Sequence, residues 1–239
     1  MNKSIHRQLS ICCPVFNEEA MINKCLSSIL QDSFESGLDF ELIILLSGCT
    51  DNTEKIIRSN FGCILELALI VEPTRKGKAD AVDRLLSLST AELVIFTDGD
   101  TIWKKGSIYL LMQTICENEN IGIVSGRVTP IDNGNKLIDI TSKLSFYYWH
   151  KYRLKMSLQH NLWSVSGQIY ITRKKMASSL SQNIINEDAL IGLTAHLNGY
   201  LVVYNPRCAV SVNYPITWSD YFTQKIRTRI GWEQLKRIN

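Results

Sequence analysis

Asp98 and Asp100 stand on either side of Gly99, just past the apolar run Leu93-Val94-Ile95-Phe96 and Thr97. Two carboxylates so spaced form a hard-oxygen site suited to Mg²⁺ or Mn²⁺ shared with a phosphate. Asp-Gly is also a common turn pair, and the same residues describe a solvated acidic turn closing a strand. Residue type alone leaves both open. Asn186-Glu187-Asp188, taken alone, caps a helix. Gln224 and Arg227, at i and i+3, share one face of a basic terminal helix, with Trp232 five residues beyond Arg227.

These residues need elements that present them. Residues 9–15 read as an apolar strand stopped by Asn17, which is expected to cap a helix with Glu18 and Glu19 in its first turn. Met21, Cys25 and Ile29 carry that helix at spacing four to about Gln31. Residues 40–46 form a second strand. Asp51-Asn52-Thr53-Glu54 resembles a capping box opening a helix through Ile57. A third strand over 64–71, a helix over 77–88 and a fourth strand over 92–96 complete an alternating pattern. Such alternation predicts parallel strands with right-handed crossovers, and ligands bind just beyond the carboxyl ends of such strands.

The second half is less regular. A helix is expected over 107–116, a strand over 121–128, and a long helix from 136 to about 160. That helix carries Phe146, Tyr147, Tyr148, Trp149 and Tyr152, an aromatic cluster expected in the core. A strand over 169–172 follows, then a helix from near Glu187 to Asn198-Gly199. Two short strands, 200–204 and 208–212, precede a capping box at Thr217-Trp218-Ser219-Asp220 and a last helix rich in Lys and Arg. No internal repeat, low-complexity tract or linker divides the chain. One domain over 1–239 is expected.

With 45% hydrophobic and 21% charged residues, the composition is that of a soluble globular protein. A formal charge of +3 is too small to argue for nucleic acid. No apolar stretch approaches the roughly 18 residues that span a bilayer, and the basic N-terminus lacks the apolar run of a signal peptide. Seven cysteines without metal-site spacing read as free thiols of a reducing compartment, so a cytoplasmic location is expected.

Six segments, in order, resemble the family 2 glycosyltransferases of GT-A fold. Cys13-Pro14-Val15-Phe16-Asn17-Glu18-Glu19 is similar to the family's opening Pro-x-Tyr/Phe-Asn-Glu-Glu. Ser47-Gly48-Cys49-Thr50-Asp51-Asn52-Thr53 resembles its Asp-Gly-Ser-Thr-Asp-x-Thr turn. Arg75-Lys76-Gly77-Lys78-Ala79-Asp80-Ala81 is similar to its Gly-Lys-Ala-x-Ala helix start. Asp98-Gly99-Asp100 falls where the family has Asp-x-Asp. Glu187-Asp188 matches its Glu-Asp pair, and Gln224-Lys225-Ile226-Arg227 its Gln-x-x-Arg. The matches run from residue 9 to residue 232.

The resemblance implies a single α/β GT-A domain with a mostly parallel sheet and helices on both faces. About 8–100 would be its nucleotide-binding half and about 101–239 its acceptor-binding half. It further implies hexosyl or N-acetylhexosaminyl transfer from a nucleotide-sugar donor to a glycan, lipid-linked or peptide acceptor. Asp100 would hold Mg²⁺ or Mn²⁺, and Asp98 the metal shell or the ribose. Lys78, at a helix N-terminus that already favours phosphate, would face the diphosphate. Pro14, Val15, Phe16, Glu18, Ser47 and Gly99 would border the donor. Asp188 would be the general base, with Glu187 beside it, and direct displacement implies inversion. Gln224, Arg227 and Trp232 would meet pyrophosphate and acceptor, the arginine through paired hydrogen bonds.

The chain departs from the pattern in three places. Leu46-Ser47 replaces an acid pair, one member of which bonds the nucleotide base. Thr228 follows Arg227 where Gln-x-x-Arg-Trp enzymes have Trp, and Trp232 sits one turn later. Polymer synthases continue into membrane helices, whereas this sequence ends at Asn239, so a processive synthase is expected only if the sequence is a piece of something longer. Lys225, Arg227, Arg229, Lys236 and Arg237 could touch anionic lipid or a lipid diphosphate. Two competing readings are a non-catalytic sugar-nucleotide module and a haloacid-dehalogenase-like phosphohydrolase with Asp98 as nucleophile.

Overall fold

Short apolar runs separated by amphipathic helices build the first half of the sheet. The computed structural model describes residues 7–177 and 185–237. Strands β1 (Leu9–Val15), β2 (Phe40–Ser47), β3 (Leu67–Glu72) and β4 (Leu93–Phe96) are parallel to their neighbours, in the order β3-β2-β1-β4. Helices α1 (Ile22–Ser36), α2 (Thr53–Phe61) and α3 (Lys78–Leu88) connect them. The chain moves outward from β1 to β3 and returns on β1's other side at β4. That reversal opens a crevice at the carboxyl ends of β1 and β4.

The direction changes beyond β4. Strand β5 (Thr101–Trp103), helix α4 (Ser107–Cys116), strand β6 (Ile121–Pro130), helix α5 (Lys136–Leu158) and strand β7 (Tyr170–Arg173) follow in the chain. Helix α6 (Glu187–Leu197), strand β8 (Leu201–Val212) and helix α7 (Trp218–Lys236) complete it. β7 lies antiparallel to both β4 and β6, β6 is parallel to β8, and β5 closes the edge antiparallel to β8. One eight-stranded, mostly parallel sheet results.

Alternation along β1 divides the core. Leu9, Ile11, Cys13 and Val15 face α1 and α4, packing with Ile22, Leu26, Ile108 and Leu111. Cys12, Ile43, Val94 and Phe96 face the other layer, with Val82 and Leu85 of α3 and Ile191 of α6. Helices therefore cover both faces, as expected.

Several expected elements differ. Asn17 does not cap α1, because its backbone is left-handed (φ 54°) and its side chain bonds Thr50; the helix begins only at Ile22, leaving Glu18 and Glu19 in the connection. It also runs past Gln31 to Ser36. The third strand starts at Leu67, since the chain turns at Ile64. β5 was not expected at all. The two short strands near 200–212 are one, β8, continuous through a register shift against β6 between Asn205 and Ala209. The aromatic cluster of α5 is not core: Tyr147, Tyr148, Trp149 and Tyr152 are exposed, and only Phe146 packs against the apolar interior.

Helix α4 has no capping side chain of its own, and α1 supplies one. The carboxylate of buried Asp32 accepts from the N–H groups of Gly106 and Ile108, the latter at 2.9 Å. Burial lifts the Asp32 carboxyl above its usual range, while those N–H groups and the helix dipole oppose the rise. Asp32→Ala would strand one buried and one part-buried donor, and urea unfolding should show a loss of about 2 kcal/mol.

Candidate active site

A cleft of about 570 Å³ opens at the carboxyl ends of β1, β2 and β4. Pro14, Val15, Phe16 and Glu18 enter it from the end of β1, Ser47 from β2, and Asp98, Gly99 and Asp100 from the turn after β4. Lys78 comes from the first turn of α3, and Glu187 with Asp188 from the head of α6. Gln224, Arg227 and Trp232 reach it from α7. All of the candidate residues picked from the sequence thus line one cleft.

Local structure fixes each wall. The β1 and β2 loops are laced together: Asn17 exchanges hydrogen bonds with Thr50 at 2.8 and 3.0 Å, the Glu18 N–H donates to Thr53 Oγ1, and the Glu19 N–H to Asp51 Oδ2. Below the acidic turn lies a buried hydroxyl network. Thr97 Oγ1 receives the indole N–H of Trp103 at 3.0 Å and lies 2.8 Å from Thr101 Oγ1, which also reaches the Asp98 carbonyl oxygen. Gly99 permits close approach of that turn to the β1 loop, since a Cβ there would lie 3.1 Å from a Val15 methyl.

Acids crowd the cleft and one ammonium ties them together. Lys78 Nζ lies 2.6 Å from Asp98 Oδ1 and 3.2 Å from Glu187 Oε1. Burial works against that charge, but Asp98, Glu187 and Asp188 outweigh it and hold the lysine well above its ordinary range. Burial pushes the Asp100 carboxyl up to about 6, helped by the charge of Asp98. Glu18 is pushed to about 7, first by burial and then by Asp100 and Asp98. Glu187 is also raised by burial, with Lys78 opposing. Asp188 is oriented from two sides: Oδ2 accepts the Gly167 N–H at 2.7 Å and Oδ1 the Ala189 N–H at 2.8 Å.

A family model for glycosyl transferase family 2 matches residues 10–180. The chain belongs to that family. Poly-beta-1,6-N-acetyl-D-glucosamine synthase of Staphylococcus epidermidis is 23% identical over 98% of this chain and 57% of its own length. Glucosyl-3-phosphoglycerate synthase of Mycobacterium tuberculosis is 40% identical, over 40% of this chain and 30% of its own. Among solved structures, the mannosyltransferase PcManGT of Pyrobaculum calidifontis, in complex with GDP-Man and Mn²⁺, superposes with TM-score 0.77 and 20% identity, covering 94% of this chain and 61% of that one. TarS 1–349 of S. aureus, in complex with UDP-GlcNAc, gives 0.66 and 17%, covering 88% and 59%. The GT-A fold is common to all of these structures, and the chain spans little more than half the length of the synthase it matches.

This family 2 cleft also contains residues that were not picked as site residues from the sequence. Arg75 lies over the Phe16 ring at 3.7 Å from its centroid. Trp149 and Arg153 line the wall from α5, stacked at 5.5 Å. Ser166, Gly167 and Gln168 contribute a backbone donor, and backbone donors leave no side-chain signature. Two signals were available: Arg75 stands inside the segment that resembles the family's helix start, and Trp149 belongs to the aromatic run on α5, whose expected place in the core concealed it. Among the described residues no group of three or more His, Cys, Asp or Glu is arranged to hold a metal. The oxygen-only pair Asp98 and Asp100, the latter raised by burial and then by the charge of Asp98, fits a hard divalent cation that would take its remaining ligands from a diphosphate.

Thr97→Val keeps the shape of the side chain but removes the hydroxyl under the acidic turn. The indole of Trp103 then lacks its acceptor, and thermal or urea unfolding should show a loss of about 1–3 kcal/mol.

Proposed function

We propose that this chain is a metal-dependent, inverting glycosyltransferase that moves a hexosyl or N-acetylhexosaminyl group from a nucleotide-sugar to an acceptor hydroxyl. One observation carries the proposal: the Asp98–Asp100 turn and Asp188 stand in a single cleft, joined through Lys78 and Glu187. In this reading the diphosphate lies at the Asp98–Asp100 end of the cleft and the attacking hydroxyl at the Asp188 end.

In this reading Asp100, with Asp98, holds Mg²⁺ or Mn²⁺, which when bound offsets the charge growing on the departing diphosphate. Lys78 adds a preorganised positive charge beside the same oxygens. Asp188 accepts the acceptor's proton, and the Gly167 and Ala189 N–H groups keep its oxygens aimed. No carboxylate is assigned as nucleophile, so displacement is direct and the anomeric configuration inverts. Pro14, Val15, Phe16, Glu18 and Gly99 border the nucleoside. Ser47 Oγ, buried without a protein partner, is available to the base in place of the acid usual in the family. Gln224 and Arg227 serve the diphosphate, and Trp232 the acceptor. The GDP-Man and UDP-GlcNAc bound by the two structural neighbours support this donor class. Seven free cysteines support a reducing, cytoplasmic location.

A panel of UDP-, GDP-, dTDP- and CDP-sugars with Mn²⁺ should raise the melting temperature for at least one donor. With that donor, Asp188→Asn should lower turnover by about 10²–10⁴-fold while leaving the thermal shift in place. Turnover surviving in Asp188→Asn would assign the base elsewhere. A donor shift without transfer to any acceptor would mark a binding module, and absence of any shift would remove the donor site itself.

A further inference from the structure

The outer faces of α5 and α7 are apolar where they meet solvent. On α5, Leu137, Ile140, Leu144, Tyr147 and Leu158 recur at helical spacing and are all exposed, while only Ile138 and Ser142 of the helix are buried. On α7, Trp218, Phe222, Ile226 and Ile230 stand at every fourth position, again exposed, and only Gly231 and Leu235 are buried. The helices are neighbours, with Lys225 Nζ 3.4 Å from Ser145 Oγ. Between them an apolar groove of about 520 Å³, lined by Tyr148, Tyr152 and Trp163, shares Ser145, Trp149 and Trp232 with the cleft. Exposed apolar stripes on two neighbouring helices beside an apolar groove mark an interaction site.

Charge identifies what it meets. Helices α5 and α7 together carry nine Lys and Arg against three Asp and Glu, whereas the rest of the chain carries seventeen against twenty. The acids are also locally engaged: Asp139 and Asp220 at helix starts, and Glu233 with Lys236. Two copies of so cationic a face repel each other. Apolar stripes flanked by cations, with Trp and Tyr at their margins, match the headgroup boundary of an anionic bilayer.

We propose that the α5–α7 face docks on an anionic lipid surface, laying the groove and the mouth of the cleft against it. The docking is independent of the chemistry proposed above. If both hold, the acceptor is taken from that surface.

Flotation with phosphatidylcholine vesicles, with or without about one third phosphatidylglycerol, tests it. The 239-residue chain should float with the anionic vesicles only, and lose them at high salt. Leu144→Glu with Ile226→Glu, at side chains 52% and 60% exposed, should cut the bound fraction about tenfold or more without changing the melting temperature. Leu65→Glu, at a 94% exposed side chain just before β3 on the opposite edge of the sheet, should change nothing. Failure to float, flotation indifferent to lipid charge, or an unaltered double variant would overturn the proposal. So would a dimer, seen by light scattering, that the double variant dissolves.

Discussion

Too many carboxylates share one cleft for all to ionise unaided, and the site is organised around that constraint. Glu18, Asp98, Asp100, Glu187 and Asp188 line the same space, and Lys78 bridges Asp98 to Glu187. Carboxylates in close array raise one another's pKa unless a cation intervenes. Burial first, and then the charge of neighbouring acids, lifts Asp100 to about 6 and Glu18 to about 7. Buried ion pairs seldom add net stability, because desolvation offsets the attraction. Such a cluster is better explained by what it receives. In the function proposed for this cleft, a divalent cation with a diphosphate would bring both the missing positive charge and a use for it.

The bridge works only because β4 joins two differently built halves of the sheet. On one side β4 runs parallel to β1, with the Thr97 N–H bonded to the Cys12 carbonyl. On the other it runs antiparallel to β7. The segment before β7 therefore arrives beside the acidic turn. Gln168 offers its carbonyl to Thr97 Oγ1, and Gly167 directs its N–H at Asp188. Acids from α6 and from the β4 turn, some ninety residues apart, are thereby held in register by one short strand pair.

The parallel half was legible in the sequence because each strand is an apolar run and each helix has one apolar stripe. Its ligand crevice followed from topology, and the residues expected there are there. What failed had local causes. Asn17 looked like a cap, yet its side chain is drawn to Thr50, thirty-three residues away. β5 is three residues long and forms only through its partner β8. The Asn205-Pro206-Arg207 break suggested two strands, but the chain bulges and continues. The aromatic run of α5 misled most: periodicity reports that a helix has an apolar face, not whether protein covers it.

α7 shows what that last distinction implies. Helix faces normally divide between core and solvent, but α7 divides between the cleft and an exposed apolar stripe. Gln224, Arg227, Thr228 and Trp232 look inward, while Phe222, Ile226 and Ile230 look out. With little core of its own, the helix is held from the cleft side, and three contacts stand out among the described residues. The Trp163 and Trp232 rings meet edge to face, Gln234 accepts the Ile185 N–H, and Gly231 presses so closely on Asn186 that a Cβ there would collide with its side chain. Asn186 is the residue immediately before Glu187 and Asp188. Through Gly231 and Asn186, α7 is thus in direct contact with the head of the helix that carries the two acids.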